Sequence, residues 1–369
     1  MDKLAELVGS SDMVSLARKT GISPVRLHAI REGGDASLSE LRLIASALRL
    51  ELDDLVPPAD AGRGAALLFR NAAPTTANVA MRLSRKIAYS ADILADQGEP
   101  APWLAEFDIT RHDFAEAEQA ATKFREMFAD NNQVGPFFDL PELLGARLGV
   151  VLLVINTSEI DGASAYFRGL PFIFVSARFP PRMLFTVGHE LGHLVAHRDR
   201  GADFALLDAS TEDLASRVSR TVQERFAHAF ASCLLMPRSG VGIALKQIRS
   251  LSTVHPDRVG DIELLYLSRI FGVSFEAAAR RCEDLQLLPR GGAASLNAEL
   301  KERFGSAEKR AEAIDLPPRP KIRIPTLPRH LLDSAIARIN AGQLSIGKAS
   351  AILGVSISEI VSSNAPSTH

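Results

Sequence analysis

A chain of 369 residues, 46% hydrophobic and 23% charged, has the composition of a globular protein and the length for two or three folded units. Its formal net charge of −2 supplies no overall field toward nucleic acid or an anionic membrane, so any DNA contact has to be local. The first residues carry no apolar core of signal-peptide length, no run of eighteen apolar residues occurs, and Cys233 and Cys282 lack CxxC spacing. A disulfide framework and a thiolate zinc site are not expected, and a reducing cytoplasm is the expected compartment.

Residues 1–58 predict a bundle of short helices, because Leu16, Ala17, Ile22, Leu27, Ile30, Leu41, Ile44, Ala45 and Leu48 recur at helical spacing. Ser23 followed by Pro24 reads as a cap and a first-turn proline. Gly33 and Gly34 stop that helix, Ser37 or Ser39 can cap the next, and Pro57-Pro58 with Gly62 and Gly64 ends the unit. Residues 59–114 predict an alanine-rich helical connector, broken around 98–102. Amphipathic helices follow at 116–129 and from Pro141 to Leu148.

The pattern then changes. Residues 149–156 (GVVLLVIN), 163–167 and 171–176 predict a small three-stranded sheet, the last two strands joined by Arg168-Gly169. Pro180-Pro181 opens a long helix over 182–197, and a second helix runs from about 217 to 235 and stops at Pro237. Residues 256–315 predict a helical extension, with helices at 261–270 and 274–287. Residues 316–330, with five prolines, four Lys/Arg and no acid, predict an extended basic linker. Residues 331–369 return to a helix-turn-helix rhythm. The predicted class is α+β, mostly helical.

The chemistry concentrates in PRMLFTVGHELGHLVAHR. On a helix His189 and His193 lie one turn apart on one face, a spacing at which two imidazoles can hold one zinc at about 2.0–2.1 Å. Glu190 lies beside them, placed to take a proton from water. A catalytic zinc needs a third protein ligand. His197 is one further turn along, about 6 Å by helical rise, which a straight helix cannot close. Glu224 and His228, one turn apart on the next helix, can each point at the metal.

The pair FTVGHELGHLVAH and ERFAHAFASCLLMP resembles the ImmA/IrrE family of zinc metallopeptidases. Glu224, Ala227, Phe230, Ala231, Leu234, Leu235, Met236 and Pro237 match its second motif. The resemblance covers about 115–290, with the LGVVLLVIN strand and the Gly162-Ala163 turn. It implies a gluzincin-like domain over 115–255 with Glu224 as third ligand and Glu190 as catalytic base. His228 departs from the family, which has asparagine or aspartate there. Tyr166, His228 and His197 are candidates for oxyanion or supporting roles. The implied cofactor is one Zn2+ per chain, although two histidines and a carboxylate also suit Mn2+ or Fe2+.

Residues 14–48 resemble an Xre/Cro-type helix-turn-helix. That resemblance implies a recognition helix at about 24–32, with Ser23, Val25, Arg26 and His28 facing a major groove. Seven Lys/Arg against nine Asp/Glu leave 1–58 acidic, so a protein-docking or dimerisation module is the competing expectation. Together the resemblances imply a zinc endopeptidase that cleaves a regulatory protein, a DNA-binding repressor of Xre type, in a stress or DNA-damage response. The alternative is a DNA-binding regulator or antitoxin-like factor whose peptidase-like domain senses or docks a partner.

Overall fold

Arg168 and Gly169, both at positive φ (50° and 82°), reverse the chain between β2 (Ile160–Phe167) and β3 (Leu170–Ser176). Two central residues at positive φ form the tight turn whose twist suits paired strands. β1 (Val151–Ile155) runs parallel to β3, and β4 (Phe204–Ala209) runs antiparallel to β2, giving the order β1-β3-β2-β4. The sheet therefore has four strands rather than the three predicted. FALLDA is a short apolar run with no alternation, and it becomes a strand only by pairing with the edge of β2. A bulge at Asp161 shifts the β2–β4 register, so that Ile160 faces Ala209 and Gly162 faces Asp208. A bulge bends its strand and re-aims the side chains beside it.

The structure is a computed structural model and describes residues 8, 12–32, 34, 36–48, 68–69, 74–96, 101–197, 202–209, 221–250 and 259–364. The predicted breaks at Gly33, Pro57-Pro58, Gly62, Gly64 and Gly98–Glu99, and the expected start of the second helix at 217, lie outside these residues. The chain divides into two compact units, one of residues 71–76 and 95–331, the other of 1–70, 77–94 and 332–369. Helices dominate both. Among the described residues no helix is long and apolar enough to cross a membrane.

In the larger unit, α7 (Pro180–His197) packs on β2 and β3 and α6 (Leu140–Ala146) on β1, while α8 (Val222–Leu235) packs on α7 and α5 (Phe114–Phe128) on α8. α9 (Arg238–Ser250), α10 (Asp261–Ile270), α11 (Phe275–Asp284), α12 (Gly292–Phe304) and α13 (Ala307–Ala313) continue the unit. Leu184, Val187, Leu191 and Leu194 of α7 pack with Phe226, Phe230 and Leu234 of α8 in one apolar core. The α7–α8 approach is close because Gly188 and Gly192 lack side chains. A Cβ on Gly188 would lie 3.3 Å from the Ala231 Cβ. Two buried guanidiniums hold the C-terminal end of α8. Arg125 donates to Leu234 O at 2.7 Å, and Arg281 donates to Met236 O at 2.9 Å and Glu118 at 3.0 Å. They satisfy carbonyls that a helix end leaves without intrahelical partners.

Residues 316–328 form neither helix nor strand and are pinned to the unit, and residues 329 and 330 already belong to the helix that follows. Arg319 donates to Ser268 O at 3.0 Å, to Val273 O at 2.9 Å and to Glu308 at 2.7 Å. Ile322 and Ile324 pack on the core, and His330 Nδ1 meets Gly145 O at 2.9 Å.

In the other unit, α1 (Met13–Thr20), α2 (Pro24–Arg31) and α3 (Leu38–Leu48) bury Leu16, Ile22, Leu27, Ile30, Leu41 and Ile44 together. Gly21, at φ 71°, ends α1. α4 (Ala77–Leu94) packs on α15 (Ile346–Leu353), and α14 (Arg329–Asn340) sends Arg338 Nε to Ile93 O at 3.0 Å. Ile336, Ala349 and Ile360, the last on α16 (Ile357–Asn364), form a small separate core.

Candidate metal centre

α7 carries His189 and His193 four residues apart, and their Nε2 atoms lie 3.1 Å from each other. α8 starts at a Thr221 cap, whose hydroxyl accepts from the Glu224 backbone N–H at 3.2 Å. In a Thr-x-x-Glu start the glutamate often turns back on the cap. Here Glu224 instead reaches across to α7, placing Oε2 3.3 Å from His189 Nε2 and Oε1 3.3 Å from His193 Nε2. Four donors placed tetrahedrally at about 2.0–2.1 Å from a common centre stand about 3.3 Å apart. The three edges at this site, 3.1, 3.3 and 3.3 Å, have that size.

Burial lowers the basicity of His189, but its hydrogen bond to Glu224 and the charges of Asp208 and Glu190 overcome burial and raise its pKa to about 9. His193 has less anionic company, and burial holds its pKa below the usual imidazole value. Burial raises Glu224, yet hydrogen bonds from the two imidazoles outweigh it and hold the carboxyl well below the ordinary carboxylate range. The geometry and the donor chemistry thus fit one divalent cation held by two imidazoles and a carboxylate.

Glu190 is completely buried, and neither of its carboxylate oxygens has a hydrogen-bond partner among the described residues. Burial is the main reason that its pKa lies well above the ordinary value. Such a group costs several kcal/mol when charged and unmatched, which calls for a cation or water at the site. Space for it comes from Gly162 of β2, where a Cβ would collide with Glu190 Oε1 and lie 2.6 Å from the Thr186 methyl.

The centre opens into a cleft of about 840 Å³ walled by α7, β4, the start of α8, α11 to α13 and Arg319. His228 lines this cleft, its ring edge-on to Phe185 at 5.1 Å. Tyr166 lies in the core, 4% exposed and stacked on Phe204, and does not line the cleft. His197 closes α7, and its side chain lies outside the described residues.

Residues 146–283 match the family model for the IrrE N-terminal-like domain, Peptidase_M78. The IrrE N-terminal-like segment runs from the end of α6 into α11 and contains His189, Glu190, His193, Asp208, Glu224 and His228. α12, α13 and Arg319, which wall the cleft, lie beyond it. A comparison with curated proteins finds no match. Among solved structures, a Mycobacterium tuberculosis transcriptional regulator is similar at 20% identity over 55% of this chain, with a TM-score of 0.29. The chain spans about half of that protein's length, 53%, and likeness at this level carries no argument.

Four residues at the centre have roles that the sequence does not foresee, among them Gly162, which lies within β2 rather than in the expected Gly162-Ala163 turn. Asp208, on the unforeseen β4, has Oδ2 3.6 Å from His189 Nε2. Gly162, Gly188 and Gly192 act through side chains they do not have. A signal for the last two was present: small residues at 188 and 192 face small residues at 227 and 231 on the partner helix.

The expected DNA contacts on α2 fare differently from one another. Ser23 Oγ accepts from the Arg26 backbone N–H at 3.2 Å and so caps α2. The Arg26 guanidinium makes a two-point contact with Glu40, at 2.6 and 2.9 Å. Val25 is 81% exposed, and the His28 side chain is also exposed.

Proposed function

We propose that the chain is a zinc-dependent peptidase that cleaves a regulatory protein. The observation that carries this reading is the convergence of His189, His193 and Glu224 beside the buried, unmatched carboxylate of Glu190. The match to the peptidase family model supports it. Bound zinc supplies Lewis acidity that polarises a carbonyl oxygen and acidifies water. His189, His193 and Glu224 would hold the ion. Glu190 takes a proton from water and returns it to the leaving amine. His228, on the cleft wall, is our candidate for steadying charge on the scissile carbonyl oxygen. A repressor of the helix-turn-helix class, cleaved under stress, is the substrate we propose.

The test joins metal analysis to cleavage. Zinc-loaded protein is co-expressed with candidate repressors, and fragments are sought by mass spectrometry. Glu190→Gln is expected to retain zinc and lose cleavage, whereas His193→Ala loses both. Undiminished proteolysis by the Glu190→Gln protein defeats the reading.

A second role, sequence-specific DNA binding through α2, rests on the exposure of Val25 and His28 at its surface. The Arg26–Glu40 pair and the capping role of Ser23 weigh against it, since both engage groups the groove would need. Footprinting at low and physiological salt decides: protection that ignores sequence, or none, removes the role.

A further inference from the structure

Ser164 lies in the middle of β2 and is wholly buried. Side chains along a strand alternate between its two faces, so Ser164 shares a face with Gly162 and Tyr166. Tyr166 packs in one core with Leu184, Val187 and Leu191 of α7, and so do Ile173 and Val175, the β3 partners of Ser164 and Gly162. The same face receives Glu190 of α7, where Gly162 leaves room for it. Packing alone would be served by an apolar side chain at this position.

Among the described residues the Ser164 hydroxyl has no hydrogen-bond partner. Ser176 and Ser268, equally buried, each spend theirs on a carbonyl: Ser176 donates to Ile160 O at 2.6 Å and Ser268 to Leu265 O at 2.8 Å. A buried hydroxyl left unmatched is destabilising and uncommon. Both oxygens of Glu190 are buried and unmatched as well. Ser164 Oγ lies near enough to that carboxyl to oppose part of the effect of burial on it, without completing a hydrogen bond. The groups that want a partner are thus beside one another, on the face of β2 that α7 covers.

We propose that Ser164 is the positioning residue of Glu190: its hydroxyl bonds one carboxyl oxygen and holds the group at the His189–His193–Glu224 centre. The role rests on the peptidase reading, in which Glu190 carries a proton. A hydroxyl has one donor hydrogen and two acceptor lone pairs. It donates to the carboxylate before the proton arrives and accepts from the carboxyl afterwards, so the base is held through both halves of the transfer. A backbone N–H could serve only the first half, and a carbonyl only the second. Ser164 acts through Glu190 and touches no substrate atom.

Infrared spectra of the full-length protein, prepared with isotope-labelled glutamate, test the pairing. The bands of Glu190 are those lost in Glu190→Gln. Ser164→Ala should shift them, in zinc-loaded and in metal-free protein alike. Ser164→Thr, which keeps the hydroxyl, should leave them near their wild-type position. A Ser164 that only fills space would move no carboxyl band. In the repressor cleavage assay, Ser164→Ala should keep its zinc and its KM and lose about tenfold in kcat, the scale of one hydrogen bond. Ser164→Thr should recover most of that loss. Glu190 bands at their wild-type positions in Ser164→Ala overturn the proposal, and so does an unchanged kcat. If the wild type cleaves no repressor, the peptidase reading fails, while the infrared spectra still decide whether Ser164 holds Glu190.

Discussion

Gly192 and Ala227 bring two helix backbones together so closely that a Cβ on Gly192 would lie 2.9 Å from the Ala227 Cα and 3.2 Å from its carbonyl oxygen. Both are backbone atoms, so nothing flexible can give way. Gly192 lies between the two histidines, and Ala227 lies three residues after Glu224. The clearance at this crossing therefore sets the reach of Glu224. Gly192→Ala is expected to cost about 1–3 kcal/mol in urea denaturation, as overpacking does, and to weaken zinc retention in dialysis. Gly242→Ala is the control. A Cβ there meets nothing within 4 Å, and the helix should gain up to about 1 kcal/mol.

The collision of a Cβ at Gly162 with Glu190 yields a sharper separation of functions. Gly162→Ala should displace the Glu190 carboxylate and leave the histidines in place. Zinc content measured by atomic absorption should stay near one per chain, while cleavage falls by about two to four orders of magnitude, the usual worth of a positioned base. Retained activity would mean that Glu190 does not carry the proton.

Metal removal gives a stability prediction. On the proposed function, zinc would bind the assembled triad of α7 and α8, which the unfolded chain lacks. At free zinc one hundred times the dissociation constant, binding should stabilise the fold by about 2.7 kcal/mol. Chelation should lower the melting temperature of the wild type and leave that of His193→Ala unchanged.

Acid should weaken the fold partly through Glu116. Burial raises this carboxyl, but the backbone N–H groups of Thr110, His112 and Arg111 outweigh burial and lower it from 4.5. The contacts are 3.0, 2.7 and 2.7 Å. A folded value below the unfolded one gives stability that is complete above the unfolded value and disappears as pH falls through the folded one. Glu116→Gln should thus be less stable than wild type near neutrality, and the gap should shrink below about pH 4. Denaturation of metal-free protein across pH measures it, and a gap independent of pH excludes the carboxylate as its source.

Arg319 is expected to tolerate no conservative exchange. Its planar fork serves two carbonyls and a carboxylate together, a geometry that an ammonium does not reproduce. Arg319→Lys and Arg319→Ala should each cost about 2–3 kcal/mol and open residues 316–328 to limited proteolysis. Protection equal to that of wild type would show that Ile322 and Ile324 suffice to hold the segment.

Much of this arrangement was legible in the sequence because it is local. Helical periodicity placed α7 and α8, and the spacing of His189 and His193 is a property of a single helix turn. The Arg168-Gly169 reversal is likewise written in adjacent residues. What escaped depends on partners distant in the chain. β4 is a strand only because β2 has an edge to offer, and Asp208 reaches the centre only through that pairing. The glycines of α7 look like weak helix formers until α8 is laid against them. For residues 316–328, nothing local indicates that Arg319 finds its acceptors some fifty residues back.

The packing of α4 on α15 has a consequence for the order in which the molecule can be made. These helices are separated along the chain by residues 95–331 of the larger unit. A ribosome releases α4 early, before the α15 on which it packs has been synthesised. The larger unit, contiguous but for a few residues, can fold during that wait. The metal centre can therefore form before α4 finds its partner, and the unit that begins at the N-terminus is the last to be completed.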